Sequence, residues 1–135
     1  MKTPVFIGCA TALATPYTVS GIDYDSLGAL IHRQAQGGVA AVLACATTGE
    51  AATLTPEEKR EVLSFTVREV SGRMKVLAGI GSNNTHAALE AAREAEAAGA
   101  DAVLLTAPYY NKATKDGLIR HFTYVADHCG LPLIV

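Results

Sequence analysis

Five apolar stretches of strand length alternate along the chain with four stretches of helical period. The apolar stretches fall at about residues 5–12, 39–46, 74–80, 101–106 and 131–135. Between them, apolar residues recur at intervals of three and four, as at Leu27, Leu30 and Ile31 in the first segment. The pattern therefore predicts the order β-α-β-α-β-α-β-α-β, with a repeat of about 30 residues.

The predicted helices have clear start and stop signals. Thr55-Pro56-Glu57-Glu58 is a capping box with proline at the first helical position. The other expected N-caps are Asp23, Asn84 or Thr85, and Thr114, and the expected stop signals are Gly37, Gly72, Gly99 and Gly130. These local signals predict the approximate ends of all four helices.

The predicted strands show little alternation of apolar and polar residues. Such strands are typical of a parallel sheet whose two faces are both covered. Two architectures use these units, an open doubly wound sheet and a (β/α)8 barrel. A complete barrel takes about 250 residues, whereas the chain has 135, so the pattern alone favours a small open sheet.

Composition narrows the classes of partner. The net charge is −2 and there is no cluster of basic residues, which argues against nucleic acid and against an anionic membrane surface. No apolar run approaches the roughly 20 residues needed to cross a bilayer. The three cysteines, Cys9, Cys45 and Cys129, lie in apolar segments and are interpreted as reduced core thiols of a cytoplasmic protein.

Distinctive residues follow three of the predicted strands: Thr47-Thr48-Gly49-Glu50, Gly79-Ile80-Gly81 and Tyr109-Tyr110-Asn111. In parallel α/β proteins, chemistry collects at this edge of the sheet. The paired threonines offer backbone N–H groups and hydroxyls that can bind a carboxylate. The same residues can also simply cap the turn, and both readings remain open.

The other two segments also allow more than one interpretation. Two adjacent tyrosines cannot both point into one core, so at least one phenol is expected in a cleft, in solvent or at a subunit interface. Gly79-Ile80-Gly81 lacks the third glycine of a dinucleotide fingerprint and is interpreted as tight strand-to-helix packing. The four histidines are scattered, so neither a metal nor a cofactor is expected.

Together these motifs resemble the dihydrodipicolinate synthase (4-hydroxy-tetrahydrodipicolinate synthase) family of pyruvate-dependent class I aldolases. The matching segments run through essentially the whole chain in order, among them residues 11–16, 46–50, 78–83 and 108–112. The resemblance implies that residues 1–135 are a partial TIM-barrel domain. They would form the N-terminal half of a (β/α)8 TIM barrel, about four βα units plus strand 5, truncated before strand 6.

The resemblance also implies a reaction, the condensation of pyruvate with aspartate semialdehyde in lysine (diaminopimelate) biosynthesis. Pyruvate would form a Schiff base with a barrel lysine and attack the aldehyde as an enamine. Thr47 and Thr48 would bind the pyruvate carboxylate, and Thr47 and Tyr110 would act in a catalytic proton relay. Tyr110 would reach across a subunit interface of a homo-oligomer, a dimer or a tetramer.

In the family, the Schiff-base lysine and the proton-donor tyrosine follow the segment matched here. The five lysines of this chain, Lys2, Lys59, Lys75, Lys112 and Lys115, are not predicted at the carboxyl end of a buried strand. The 135 residues alone are therefore expected to be inactive. Their open sheet edges and inward-facing Val5, Ile7 and Ile134 are expected to cause assembly or poor solubility.

Three alternatives remain beside the synthase. They are another 2-keto-acid aldolase such as an N-acetylneuraminate lyase-like enzyme, a non-catalytic half-barrel interaction module and, less favoured, a nucleotide-binding open sheet.

The resemblance further suggests weak or absent feedback inhibition by lysine. Where inhibited members carry ligands for lysine, this chain has Ala51, Pro56, Lys59 and Ala87, and only Asn83 and Tyr109 remain.

Overall fold

The computed structural model describes residues 3–135, so Lys2 lies outside the described part. The elements are β1 (Ala10–Ala12), β2 (Tyr17–Thr18), β3 (Gly21–Ile22), α1 (Tyr24–Gln36), β4 (Ala41–Ala44), α2 (Pro56–Val70), β5 (Lys75–Gly79), α3 (Thr85–Ala98), β6 (Ala102–Leu104), α4 (Lys115–His128) and β7 (Leu133–Ile134). Within this part of the chain, no helix has the length and apolar character needed to cross a membrane.

The central sheet is parallel, and its strands follow one another in space in the same order as in the chain. Its order is β1-β4-β5-β6-β7, and α1 to α4 contact one another in sequence. A doubly wound sheet would reverse its strand order midway and place helices on both faces. The described residues instead form an arc of a singly wound (β/α) barrel, contrary to what the apolar pattern alone favours.

The two faces of the sheet are covered differently. Side chains of one face, including Val42, Val76 and Val103, pack against the helices and form the main core. On the other face, a small cluster forms around Ala41, Leu77 and Ala102, against which Val5, Phe6, Leu43 and Ile134 are only partly buried. The expectation that both faces are covered is therefore only partly met within the described residues.

The helix start signals are confirmed. Asp23, Thr55, Asn84 and Thr114 each accept a hydrogen bond from a backbone N–H of the first turn of their helix. Two stop signals, Gly37 and Gly99, are the C-caps themselves. The other two are off by one residue, because the C-cap of α2 is a left-handed Ser71 and the C-cap of α4 is Cys129.

Several strand predictions are too long, and one short element was not anticipated. Residues 5–9 do not join the sheet, so β1 begins only at Ala10, and β2 and β3 form an unpredicted hairpin before α1. The core-thiol interpretation is confirmed for Cys45 but is wrong for Cys9, which is exposed because it precedes β1. All three cysteines are unpaired.

A polar clamp joins β5 and β6 at the amino edge of the sheet. Lys75 Nζ lies 2.6 Å from Asp101 Oδ1, and the other carboxylate oxygen accepts the Val76 N–H at 2.9 Å. One acidic side chain thus fixes the neighbouring strand by a charge and by a backbone hydrogen bond. The clamp lies opposite the edge at which the motif residues gather.

Candidate functional site

Three loops meet at the carboxyl ends of β4, β5 and β6. They enclose a cavity of about 400 Å³, and its wall includes Thr47, Lys59, Gly81, Thr106 and Tyr109. The sequence predicts that the three loop motifs share this edge, and the structure brings part of each motif to one cavity. Lys59 and Thr106 were not anticipated as part of the wall.

The residues after β4 form a tight 3-10 turn, Thr47–Gly49. The Gly49 N–H donates to Ala46 O and the Glu50 N–H donates to Thr47 O, both at 3.0 Å. The first N–H groups of such a turn, those of Thr47 and Thr48, have no partner inside it. They are available to an anion, which is the arrangement known as a nest.

The backbone at both ends of this turn is unusual. Cys45 and Glu50 each have φ of 55°, although neither is glycine. Left-handed backbone at such residues costs of order 1–3 kcal/mol and clusters at functional sites. These two residues therefore reverse the chain sharply on either side of the threonines.

The threonines occupy different positions relative to the cavity. Both are exposed, and Thr47 lines the cavity, whereas Thr48 is not part of its wall. Of the two side chains, that of Thr47 is thus the one suited to contact a molecule in the cavity.

Gly79, the last residue of β5, and Gly81 allow close approach between neighbouring strands. A Cβ on Gly79 would lie 2.8 Å from Ala46 Cα, and a Cβ on Gly81 would meet the Thr106 hydroxyl. The interpretation of this segment as strand-to-helix packing is therefore wrong, since its neighbours are the ends of the two flanking strands. The glycines let the three loops come together.

The two tyrosines after β6 point in different directions. Tyr109 lines the cavity and is 53% exposed, whereas Tyr110 is 98% exposed and has φ of 67°. Asn111 holds this segment to the neighbouring loop, because its side-chain amide donates to Asn83 O at 3.2 Å. Within one chain, Tyr109 and not Tyr110 shares the cavity with Thr47.

On one side of the cavity, Cys45 contributes a neutral thiol and Lys59 contributes a positive charge. Burial raises the pKa of the Cys45 thiol to about 11, although the nearby positive charge of Lys59 opposes this shift. The thiol is therefore neutral at physiological pH. Lys59 lies on α2, as the sequence predicts, and its half-buried side chain reaches the cavity.

Thr15, which the motif interpretation left without a role, ties the turn to another part of the sheet. Its hydroxyl donates to Gly49 O at 2.7 Å, across 34 residues of sequence, and Thr15 is 6% exposed. Nothing in the neighbouring sequence indicates this contact, because it joins residues that lie far apart in the chain.

A larger depression, of about 580 Å³, lies along α4, away from the loop motifs. Its wall includes His121, whose Nδ1 lies 2.8 Å from the Thr85 hydroxyl. His121 Nε2 is buried without a partner among the described residues, and burial lowers the pKa of this imidazole. The depression lacks the converging donors of the loop cavity, so we place the candidate site at the loops.

Comparison with known proteins gives one consistent result. A profile of the dihydrodipicolinate synthetase family matches residues 5–135. A 4-hydroxy-tetrahydrodipicolinate synthase from Thermoanaerobacter sp. (strain X514) is 47% identical over 132 residues, which are 98% of this chain and 44% of the relative.

Solved structures agree with the sequence comparison. Dihydrodipicolinate synthase from Aquifex aeolicus superposes with a TM-score of 0.90 at 44% identity, over 93% of this chain and 43% of that one. The Acinetobacter baumannii enzyme, crystallised with pyruvate, gives a TM-score of 0.91 at 39% identity, over 93% and 44% of the two chains. The chain thus spans less than half the length of these proteins, and its fold matches the N-terminal part of their TIM barrel.

Proposed function

The chain belongs to the dihydrodipicolinate synthetase family, and from that premise we propose that it supplies the pyruvate-carboxylate site and part of the proton relay of a 4-hydroxy-tetrahydrodipicolinate synthase. The whole enzyme would be a lyase that condenses pyruvate with aspartate semialdehyde in lysine biosynthesis. The reduced cysteines fit action in the cytoplasm.

One observation carries the proposal: the Thr47–Gly49 turn lies at the rim of the cavity, and the N–H groups at its start have no hydrogen-bond partner among residues 3–135. Charge-assisted bonds from backbone N–H groups to a carboxylate are strong and short. The Thr47 hydroxyl, in the same wall, can add a further bond to bound pyruvate. Thr47 and Thr48 would thus act as the substrate-binding residues.

The relay would begin at Thr47 and continue through tyrosine. A threonine hydroxyl can accept and donate a proton at once, which a relay requires. The near-complete exposure of Tyr110 supports the proposal that its phenol acts in the site of a neighbouring subunit of a homo-oligomer. Tyr109 would line the site of its own chain.

The Schiff-base amine would come from outside the described residues. A nucleophilic lysine needs a desolvated setting beside the reacting carbon. Lys75 begins β5 at the opposite edge, Lys112 lies in a loop and Lys115 begins α4. Lys59 lines the cavity, but it extends from a helix and not from a strand end.

A related enzyme that uses a different aldehyde substrate is an alternative to the synthase. A 2-keto-acid aldolase of the N-acetylneuraminate lyase type would use the same carboxylate-binding turn with a different partner. The similarity of the chain to curated 4-hydroxy-tetrahydrodipicolinate synthases favours the synthase. A non-catalytic half-barrel module would retain the fold but would not bind pyruvate.

Pyruvate binding tests the proposal. In amide NMR spectra of the chain, pyruvate should shift the Thr47 and Thr48 signals, and Thr47→Val should weaken the affinity about tenfold. Thr18→Val, at an exposed hairpin threonine, is the matched control and should leave the affinity unchanged.

Methyl pyruvate, which lacks the carboxylate charge, should leave both amides unmoved. Shifts elsewhere with none at the threonines, or equal affinity of the wild type and Thr47→Val, would remove the basis of the proposal.

Feedback by lysine stays a prediction. Ala51 and Lys59 contribute an apolar group and a positive charge to the cavity wall, and neither attracts the cationic lysine side chain. We expect no binding of L-lysine at sub-millimolar concentration. An NMR titration that saturates in that range would contradict this.

A further inference from the structure

The turn that would bind the carboxylate is held internally by short-range bonds. The Gly49 and Glu50 N–H groups both donate to carbonyls within the turn segment. These bonds define the shape of the turn, but they do not fix its position relative to the other strands. A bond to a different strand is needed for that.

Thr15 supplies such a bond. Among the hydrogen bonds of the described residues, the one from the Thr15 hydroxyl to Gly49 O is the one that joins residues 46–51 to another element. Thr15 follows β1, the strand that pairs with β4. Since the bond is buried, no water competes for the Gly49 carbonyl.

Packing reinforces the same contact. A Cβ on Gly49 would lie 3.0 Å from Leu13 O and 3.1 Å from Thr15 Oγ1, closer than an ordinary contact. The turn therefore rests directly on the chain that follows β1. The lack of a side chain at Gly49 allows this close approach, which brings the Thr15 hydroxyl within hydrogen-bond distance of Gly49 O.

We propose that Thr15 is a positioning residue, which holds the Thr47–Gly49 turn so that the Thr47 and Thr48 N–H groups point at a bound 2-keto carboxylate. This inference rests on the proposed function. Thr15 is not part of the cavity wall. It acts through Gly49 O, at the opposite end of the turn from the two donors.

The decisive variant is Thr15→Val, which keeps the shape of the side chain and removes its donor. It should weaken pyruvate binding about tenfold and broaden or shift the Thr47 and Thr48 amide signals in the absence of ligand. Thr15→Ser, which retains the hydroxyl, should restore affinity to within about twofold of the wild type.

A second buried threonine provides a matched control. The Thr66 hydroxyl donates to Val62 O at 2.8 Å within α2, so Thr66→Val also removes a buried hydroxyl that donates to a backbone carbonyl. It should lower stability without changing pyruvate affinity. A loss of affinity in both variants would mean that destabilisation alone explains the effect, and Thr15 would have no positioning role.

The pyruvate affinities of the variants distinguish failure of the Thr15 proposal from failure of the proposed function. If Thr47→Val loses pyruvate binding while Thr15→Val binds as the wild type does, the Thr15 proposal is wrong and the proposed function stands. If the wild type itself binds no pyruvate, both are wrong. If Thr15→Val does not fold, Thr15→Cys replaces it, because a thiol is a weaker donor than a hydroxyl. Thr15→Cys should bind pyruvate more weakly than Thr15→Ser. Affinity of Thr15→Cys equal to that of the wild type would overturn the proposal.

Discussion

At the scale of single residues, identical side chains differ because of where the backbone places them. Cys45 lies 5% exposed at the end of β4, with its thiol donating to Lys59 O at 3.7 Å. Cys9 precedes β1 and is exposed. The nucleophile in thiol chemistry is the thiolate, so burial alters reactivity both through access and through the pKa.

We expect Cys9 to be alkylated by iodoacetamide at pH 8 long before Cys45. With a pKa of about 11, roughly one Cys45 thiol in a thousand is ionised at that pH. Peptide mass spectrometry after timed labelling gives the two rates, and labelling in urea shows that both cysteines can react. Equal rates in the folded protein would contradict the burial of Cys45.

Two glycines with different surroundings should respond in opposite ways to alanine. At Gly79 a Cβ would press on the Cys45–Ala46 backbone, so Gly79→Ala should lower the free energy of unfolding by about 3 kcal/mol. At Gly28, within α1, a Cβ would lie 3.6 Å from Phe65 Cζ, so Gly28→Ala should raise it by about 0.5–1 kcal/mol. Urea unfolding of both variants checks the pair, and a stable Gly79→Ala protein would contradict the close approach.

At the scale of elements, local signals predicted the helices better than the strands. Asp23, Thr55 and Thr114 cap their helices through bonds that span three residues, and such bonds can be inferred from neighbouring letters. Residues 5–9 are as apolar as a strand but lie outside the sheet, in which the first strand begins at Ala10. Strand bounds depend on partners distant in sequence, which a pattern cannot identify.

The loop site shows the same difference between contacts that are local in sequence and contacts that are distant. From turn chemistry and strand order, the sequence predicts that Thr47, Thr48 and the tyrosines lie at one edge of the sheet. It did not identify Thr15, Lys59 or Thr106, because their contacts join residues that only the fold brings together. The resemblance assigns Tyr110 to the relay of a neighbouring subunit, which stays a prediction, while Tyr109 lines the cavity of its own chain.

The contact between α3 and α4 should be sensitive to pH. Burial holds the pKa of His121 below its ordinary 6.5, so the folded state favours the neutral imidazole. The stability that depends on this is therefore fully present above about pH 6.5 and is lost as the pH falls through the lower folded pKa. Urea midpoints between pH 7.5 and 5 should fall less in His121→Asn than in the wild type.

Exposed His86, near the start of α3, is the control for that measurement. His86→Asn should retain the pH dependence of the wild type. An unchanged dependence in His121→Asn would show that other groups are responsible.

At the scale of the whole molecule, the inner face of the central sheet and its two edge strands, β1 and β7, are poorly covered by the rest of the described chain. The helices protect the outer face, while Leu43, Leu104 and Ile134 on the inner face are only half-buried. Exposed edges and apolar faces promote association. We expect size-exclusion chromatography of the 135-residue chain to show assembly, and a compact monomer would contradict this.

The proposed absence of the Schiff-base lysine from the described residues gives a second expectation at this scale. Incubated with pyruvate and borohydride, the 135-residue chain should keep its original mass, because no described lysine lies at a strand end facing the cavity. The Thermoanaerobacter synthase is the positive control. A reduced pyruvyl adduct on this chain, mapped to Lys59 for example, would contradict the proposed division.

The clamp between Lys75 and Asp101 and the candidate site lie at opposite edges of the central sheet. The clamp secures adjacent strands at the amino edge, far from the loops that would meet substrate. Substitutions in the loops at the carboxyl edge should therefore leave this contact between β5 and β6 intact.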